Sequence, residues 1–146
     1  MVAARIVLVV CAAALIGLGL ARHDAHAACQ DARMDALAIT LGRRPAADAA
    51  PVAGRLRSHC RDVGELVNGA VAFARVGAVR PAEALAGEAV RREPERRNAW
   101  MALASVLQRE GDASGAGRAL ERARALDPVG LGGDGSLKRS SGRSTR

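Results

Sequence analysis

The feature that most constrains this 146-residue chain is a set of residues that recur after 34 positions. The recurring pairs are Pro94 and Pro128, Gly77 and Gly111, Ala82 and Ala116, and Ala89 and Ala123. A constant period of this length is typical of proteins that use one supersecondary unit repeatedly. The spacing therefore predicts two units of one kind within residues 63–128.

The later unit has the pattern of two helices joined by a tight turn. The apolar residues of its first helix share one face: Trp100, Leu103, Ala104 and Leu107. Those of its second helix do the same: Ala116, Leu120 and Ala123. Gly111 and Asp112 form the turn, where Asp112 is a suitable helix N-cap, and Pro128 stops the second helix. The alanines let two helices approach closely, and the larger side chains fill the space between them.

These residues, together with Leu126, resemble the tetratricopeptide repeat (TPR) family. An earlier unit, 63–94, is a weaker copy that carries Leu66, Ala70, Phe73, Gly77, Ala82, Ala86, Ala89 and Pro94. It departs from the family pattern at Gly69, where a large apolar residue is usual. The resemblance implies an all-α fold, a short stack of antiparallel helical hairpins of the α-solenoid type.

The resemblance also implies a binding face for peptides or proteins on the first helix of each pair. In the earlier unit this face would hold Val67, Val71, Ala74 and Arg75. In the later unit it would hold Asn98, Met101, Ser105, Gln108 and Arg109. Arg75 and Arg109 are suited to an acidic or carboxylate group. The alternative is that all of these are ordinary surface positions.

Ahead of the repeats, two further helices are indicated, at 31–42 and 48–60. The first has Met34, Leu37, Ala38 and Leu41 at helical spacing, an apolar stripe of an amphipathic helix. The second begins near Asp48, a suitable cap, and places Val52 and Leu56 on one face with His59 or Cys60. Helices are also predicted at 62–76, 81–92, 98–110 and 113–126. Two repeats alone leave their end faces exposed, so we expect residues 28–62 to form a helical hairpin that caps them.

Residues 1–27 have the pattern of an export segment. Arg5 precedes an uncharged apolar run at 6–21, and Ala25-His26-Ala27 fits a signal-peptidase site. The run is short for a membrane span, yet both cleavage and retention as a single membrane anchor remain open. Either outcome places the rest of the chain outside the cytoplasm.

Cys29 and Cys60 form an even pair in a compartment expected to be oxidising, which predicts a disulfide. Antiparallel packing of the first two helices would bring them together. The alternative is a metal site drawn from His23, His26, Cys29, His59 and Cys60. Their spacing matches no common zinc module, so we expect no metal and no cofactor.

No catalytic motif is present: the sequence lacks G-x-S-x-G, H-E-x-x-H and a Walker loop. The acidic residues alternate with arginines and indicate solvated helix faces with i, i+4 pairs, such as Glu88 with Arg92. Residues 129–146, rich in Gly, Ser and Arg, are expected to be a disordered basic tail.

The net charge of +7 comes almost entirely from arginines spread along the chain, since Lys138 is the only lysine. We therefore expect no specific nucleic-acid partner. The sequence favours a non-enzymatic protein-interaction module at the cell envelope. The alternative is an Arg-rich binder of anionic lipid or polymer at the membrane surface. The oligomeric state is left open.

Overall fold

The computed structural model describes residues 26–127, and every regular element in that range is helical. The described part of helix α1 covers 26–40, and a short 3-10 turn follows at Ala46–Asp48. The other helices are α2 (Ala49–His59), α3 (Val63–Arg75), α4 (Val79–Arg92), α5 (Arg97–Glu110) and α6 (Ala113–Leu126). The all-α prediction is confirmed. The predicted export segment up to Ala25 and residues 128–146, with the predicted tail, lie outside the described residues.

Gly77 and Gly111 follow the ends of α3 and α5, the helices that open the two units predicted from the sequence. Gly77 follows α3 with φ of 79°, and Gly111 follows α5 with φ of 94°. Glycine has no Cβ, so it adopts this left-handed conformation without steric cost. The amide N–H of Ala78 donates to the carbonyl of Phe73 across the first turn, and that of Asp112 donates to Leu107 across the second. The next helix therefore starts within three residues in both places.

The helices pack on one another in a regular pattern. α3 packs on α4 and α5 packs on α6, each across its short connection. Between these pairs, α4 contacts α5, and α3 also contacts α5, while α2 contacts both α3 and α4. One core runs through α1 to α5 and has Leu56, Leu66, Phe73, Leu85 and Val106 at its centre, each at most 1% exposed.

Helix α1 turns a different face to the core than its large apolar residues suggest. The buried side chains are Ala32, Ala36 and Ile39. The three large residues of the predicted stripe are exposed instead: Met34 by 64%, Leu37 by 48% and Leu41 by 57%. Its fourth member, Ala38, is half-buried. An apolar stripe usually faces the core. Here the small side of α1 packs inward, because alanines let the helix lie close to its neighbours.

Gly69 stands where the repeat pattern has a large apolar residue, and the packing around it explains the difference. It is buried on α3, and a Cβ at this position would lie 2.9 Å from a methyl carbon of Leu56 and 2.9 Å from one of Leu85. Side chains from α2 and α4 thus occupy the volume that a large residue 69 would fill. The core keeps its density, but the bulk comes from the neighbouring helices.

The first helix, predicted at 31–42, is already helical at 26 and ends at 40. Two further expectations about helix starts were also wrong. Asp48 makes no capping hydrogen bond to α2. Its carboxylate pairs with Arg44 at 3.1 Å, so the side chain is occupied elsewhere. Helix α4 starts at Val79, two residues before Pro81, which is still within the first turn where proline is tolerated.

Candidate protein-interaction surface

The residues predicted to form the binding face lie on α3 and α5, and most of them reach solvent. The exposed ones are Val71, Arg75, Asn98, Ser105, Gln108 and Arg109. Val67 and Met101 are half-buried, and Val67 packs against the core. Ala74 is only 3% exposed, so its inclusion in the face was wrong. Because α3 contacts α5, the remaining residues belong to two adjacent helices.

The two arginines of this face are available for a ligand. Arg75 is in the last turn of α3 and Arg109 in the last turn of α5, 34 residues later. Neither forms an ion pair or side-chain hydrogen bond with any residue in 26–127. Guanidinium groups without a partner carboxylate can bind acidic groups of another molecule.

A groove between α1 and α3 extends this surface. It has a volume of about 300 Å³, and its lining includes Met34, Leu37, Asn68, Gly69 and Ala72. Arg33 and Glu65 join across one part of it at 2.8 Å. The groove is open and largely apolar, so it suits a hydrophobic side chain of a partner. The groove was not predicted from the sequence, because the outward face of α1 was not foreseen.

The residues that carry the repeat pattern divide into two groups. Ala104, Ala116 and Ala123 are buried. Trp100, Leu103, Leu107 and Leu120 are half-buried, so they fill the space between α5 and α6 only in part. The indole N–H of Trp100 donates to the carbonyl of Pro94 at 2.8 Å, which ties α5 to the preceding turn. Pro128 lies outside the described residues.

Glu88 is a buried carboxylate that the sequence wrongly suggested to be on a solvated face. It is 7% exposed and bonds to Arg91 and to Arg92, the latter at 2.6 Å. Arg92 also donates to the backbone carbonyls of Cys60 (2.7 Å) and Arg57. Glu88 therefore orients Arg92, which joins α4 to the end of α2. The i, i+4 spacing of Glu88 and Arg92 was visible in the sequence, but the burial was not.

Two exposed charged groups have shifted pKa values. A hydrogen bond to Asp35 raises the pKa of Arg44, and the charge of Asp35 adds to this effect. The backbone N–H of Gly115, followed by the hydroxyl of Ser114, lowers the pKa of Asp112. The Asp112 carboxylate accepts from Gly115 at 2.9 Å and caps α6, as predicted. Both groups have structural roles at helix ends.

The two cysteines are at bonding distance. The sulfur atoms of Cys29 and Cys60 are 2.05 Å apart, and their Cα atoms are 4.9 Å apart. The predicted pairing is thus present, and it connects α1 to the residue that follows α2. Cysteines joined in this way do not serve as thiolate ligands for a metal. Within 26–127, no three metal-ligating side chains are grouped as a metal site requires.

Comparison with protein-family models, with curated proteins and with solved structures finds no match for this chain. Among the described helices, none has the length and apolar character needed to cross a membrane.

Proposed function

We propose that the protein is an exported, non-enzymatic interaction module of the TPR type. One observation carries the proposal: α5 and α6 start at Arg97 and Ala113, each 34 residues after the starts of α3 and α4. The glycines that end α3 and α5 have the same spacing and the same left-handed conformation. A structural repeat requires helices that start at a constant spacing and turns that have the same conformation.

The arrangement of α1 and α2 supports a third, divergent unit. These helices precede the repeats, add Ile39, Val52 and Leu56 to the same core, and are joined by the Cys29–Cys60 bond. Three units are about the number that a stacked array needs for stability, since end units lack a neighbour on one side. The cysteine-linked pair would therefore cap the array.

The proposed ligand is a peptide or protein segment that lies across α3 and α5. Val71 offers an apolar contact, Ser105 and Gln108 offer hydrogen bonds, and Arg75 and Arg109 attract acidic groups. Rigid helices hold these side chains apart at fixed spacing, which favours specificity at low ordering cost. A disulfide and the export pattern of residues 1–27 support a site of action outside the cytoplasm.

Photo-crosslinking in intact cells tests this proposal. A photoreactive residue at Ser105 should capture one defined protein, whereas the same group at Ala125, exposed on α6, should not. Arg75→Glu with Arg109→Glu should abolish the capture while the helical content stays unchanged. Equal capture from both positions, or capture that ignores both substitutions, contradicts a site on α3 and α5.

A second candidate is electrostatic binding to anionic lipid or polymer. It is favoured by exposed arginines that have no ion-pair partner within 26–127: Arg43, Arg61, Arg75, Arg80, Arg109 and Arg124. These are distributed over the helices from the end of α1 to α6, so they form no single stripe. Binding through them should disappear steeply above physiological salt, because exposed charges are screened within about 8 Å. Capture that resists salt favours the peptide-binding proposal.

A further inference from the structure

The surface between α2 and α4 holds more positive charge than its one carboxylate neutralises. A depression of about 390 Å³, called here the α2–α4 site, is lined by Gly54, Arg57, Ser58, Glu88 and Arg91. Arg57, Arg91 and the neighbouring Arg92 all form ion pairs with the Glu88 carboxylate. Three guanidinium groups and one carboxylate give this group of side chains a formal charge of +2.

The three arginines differ in how many of their N–H groups are already used. Arg92 donates to Glu88 at 2.6 Å and to the backbone carbonyls of Cys60 and Arg57, so its role is structural. The Nε atom of Arg57 is 3.9 Å from the Glu88 carboxylate, which is too far for a hydrogen bond. Arg91 donates to Glu88 through one of its nitrogens. Because the side chains of Arg57 and Arg91 are 47% and 70% exposed, their remaining N–H groups can reach a ligand.

Arg57 and Arg91 approach the same atom from two different helices. Both pair with Oε2 of Glu88, Arg57 from α2 and Arg91 from α4. Their guanidinium groups are therefore close enough to repel each other, and the buried Glu88 carboxylate that lies between them is shared with Arg92. A second anion on the solvent side would reduce this repulsion and would accept the unused N–H groups.

The backbone of α2 leaves room for such an anion. A Cβ at Gly54 would meet no atom within 4 Å, so packing does not require glycine at this position. Glycine within a helix is less stable than alanine, and packing does not explain why this position is left open. The hydroxyl of Ser58 donates to the carbonyl of Gly54 at 3.1 Å and can rotate toward a ligand instead. The carbonyl groups at the end of α2 would repel an anion, but Arg92 donates to two carbonyls there.

We propose that the α2–α4 site binds a phosphate group, which Arg57 and Arg91 hold from two sides. A phosphate monoester carries about two negative charges at pH 8, which matches the charge of the site, whereas a carboxylate carries half as much. The planar fork of a guanidinium group donates two parallel N–H bonds to phosphate oxygens. The site uses no residue of α3 or α5, so the inference does not depend on the proposed peptide site.

Isothermal titration calorimetry of the purified full chain with inorganic phosphate tests the site. The titration is done at pH 8, with the ionic strength held constant by chloride, and should show saturable binding. Arg57→Gln and Arg91→Gln should each weaken the affinity about tenfold, as expected when one charge-assisted hydrogen bond is lost. Arg124→Gln is the matched control, because it removes one exposed arginine of α6 and should leave the affinity unchanged.

The open space at Gly54 provides a second test that leaves every charge in place. Gly54→Leu should fill the depression and weaken phosphate binding. Gly117→Leu is the matched control, since Gly117 also lies in a helix with no atom within 4 Å of its Cβ, and should bind phosphate normally. Unchanged affinity in Gly54→Leu would overturn the proposal, because phosphate would then not enter the depression.

Vesicles distinguish a lipid headgroup from a soluble phosphate compound as the source of the ligand. Phosphatidic acid presents a phosphate monoester, whereas phosphatidylglycerol presents a diester with a single charge. If the ligand is a headgroup, phosphatidic acid vesicles should bind more strongly, and Arg57→Gln or Arg91→Gln should remove the difference. If the ligand is soluble, the two kinds of vesicle should bind equally while inorganic phosphate still binds. Either result supports a phosphate site between α2 and α4.

Two results of the calorimetry would overturn the proposal. The first is no binding of inorganic phosphate beyond that of chloride. The second is an equal loss of affinity in Arg57→Gln and Arg124→Gln, which would mean that the positive charge of the whole chain attracts phosphate. Neither result affects the crosslinking test at Ser105, so this proposal and the peptide-binding proposal can fail separately.

Discussion

Removal of the Cys29–Cys60 bond should destabilise the protein strongly, and its cost can be estimated from the chain that the bond closes. The two cysteines are 31 positions apart in sequence. A crosslink of that span lowers the entropy of the unfolded chain enough to contribute about 3–4 kcal/mol to the free energy of unfolding. Cys60 is 2% exposed, so Cys60→Ala also leaves a small void in the core.

The packing of α1 explains why this contribution matters. The described part of α1 buries only Ala32, Ala36 and Ile39 in the core, two of them alanines with little apolar area. Its ion pairs to other helices, Arg33 with Glu65 and Asp35 with Arg55, have side chains that are 20% to 45% exposed. Exposed pairs contribute about 0–1 kcal/mol. Without the bond, we therefore expect α1 to detach more readily than any helix of the central core.

Thermal unfolding followed by circular dichroism measures the effect. A domain of this size loses about 4–8 °C of melting temperature per kcal/mol, so Cys60→Ala should lower Tm by about 12–30 °C. Reductant should do the same to the unmodified protein, whereas Cys11→Ala should leave Tm unchanged. Hydrogen exchange should show early loss of protection in α1. A Tm decrease of less than about 5 °C would refute the reasoning and with it the proposed cap.

Three further experiments test the packing, the buried charge and the cap of α6. Gly69→Leu should lower the free energy of unfolding by about 1–3 kcal/mol through overpacking. Gly87→Ala, with open space around its Cβ, should raise it by about 0.5–1 kcal/mol. Urea titration measures both changes, and equal effects of the two substitutions would contradict the packing argument. Glu88→Gln should cost about 1–3 kcal/mol, whereas Glu83→Gln, which breaks no ion pair, should be neutral in the same titration. The pKa of Asp112 is lowered from 3.8, so its carboxylate still caps α6 at pH 3.8, and the cap is lost only as pH falls through the lowered pKa. Exchange in the first turn of α6 should accelerate in that range, but not in Asp112→Asn, which caps without titrating.

The sequence determined the helices and where they turn. Gly77, Gly111 and Asp112 act through their own backbone and the next few residues, so local pattern was enough to locate those helix ends within about two residues. The cysteine pairing was also predictable, because with Cys11 inside the apolar run at 6–21, Cys29 and Cys60 were left as the only pair. The failed cap at Asp48 shows the limit of local reasoning: an arginine four residues earlier competes for the same carboxylate.

The tertiary structure decided which face of each helix points inward. Helical spacing shows that Met34, Leu37 and Leu41 share a side, but α1 also has a side of small residues that packs more closely against its neighbours. The burial of Glu88 and the filling of space around Gly69 by Leu56 and Leu85 depend likewise on side chains that are distant in sequence. Spacing defines the faces of a helix, whereas the choice between them depends on how closely two helices can approach. That distance is set by both partners together and is not encoded in either segment alone.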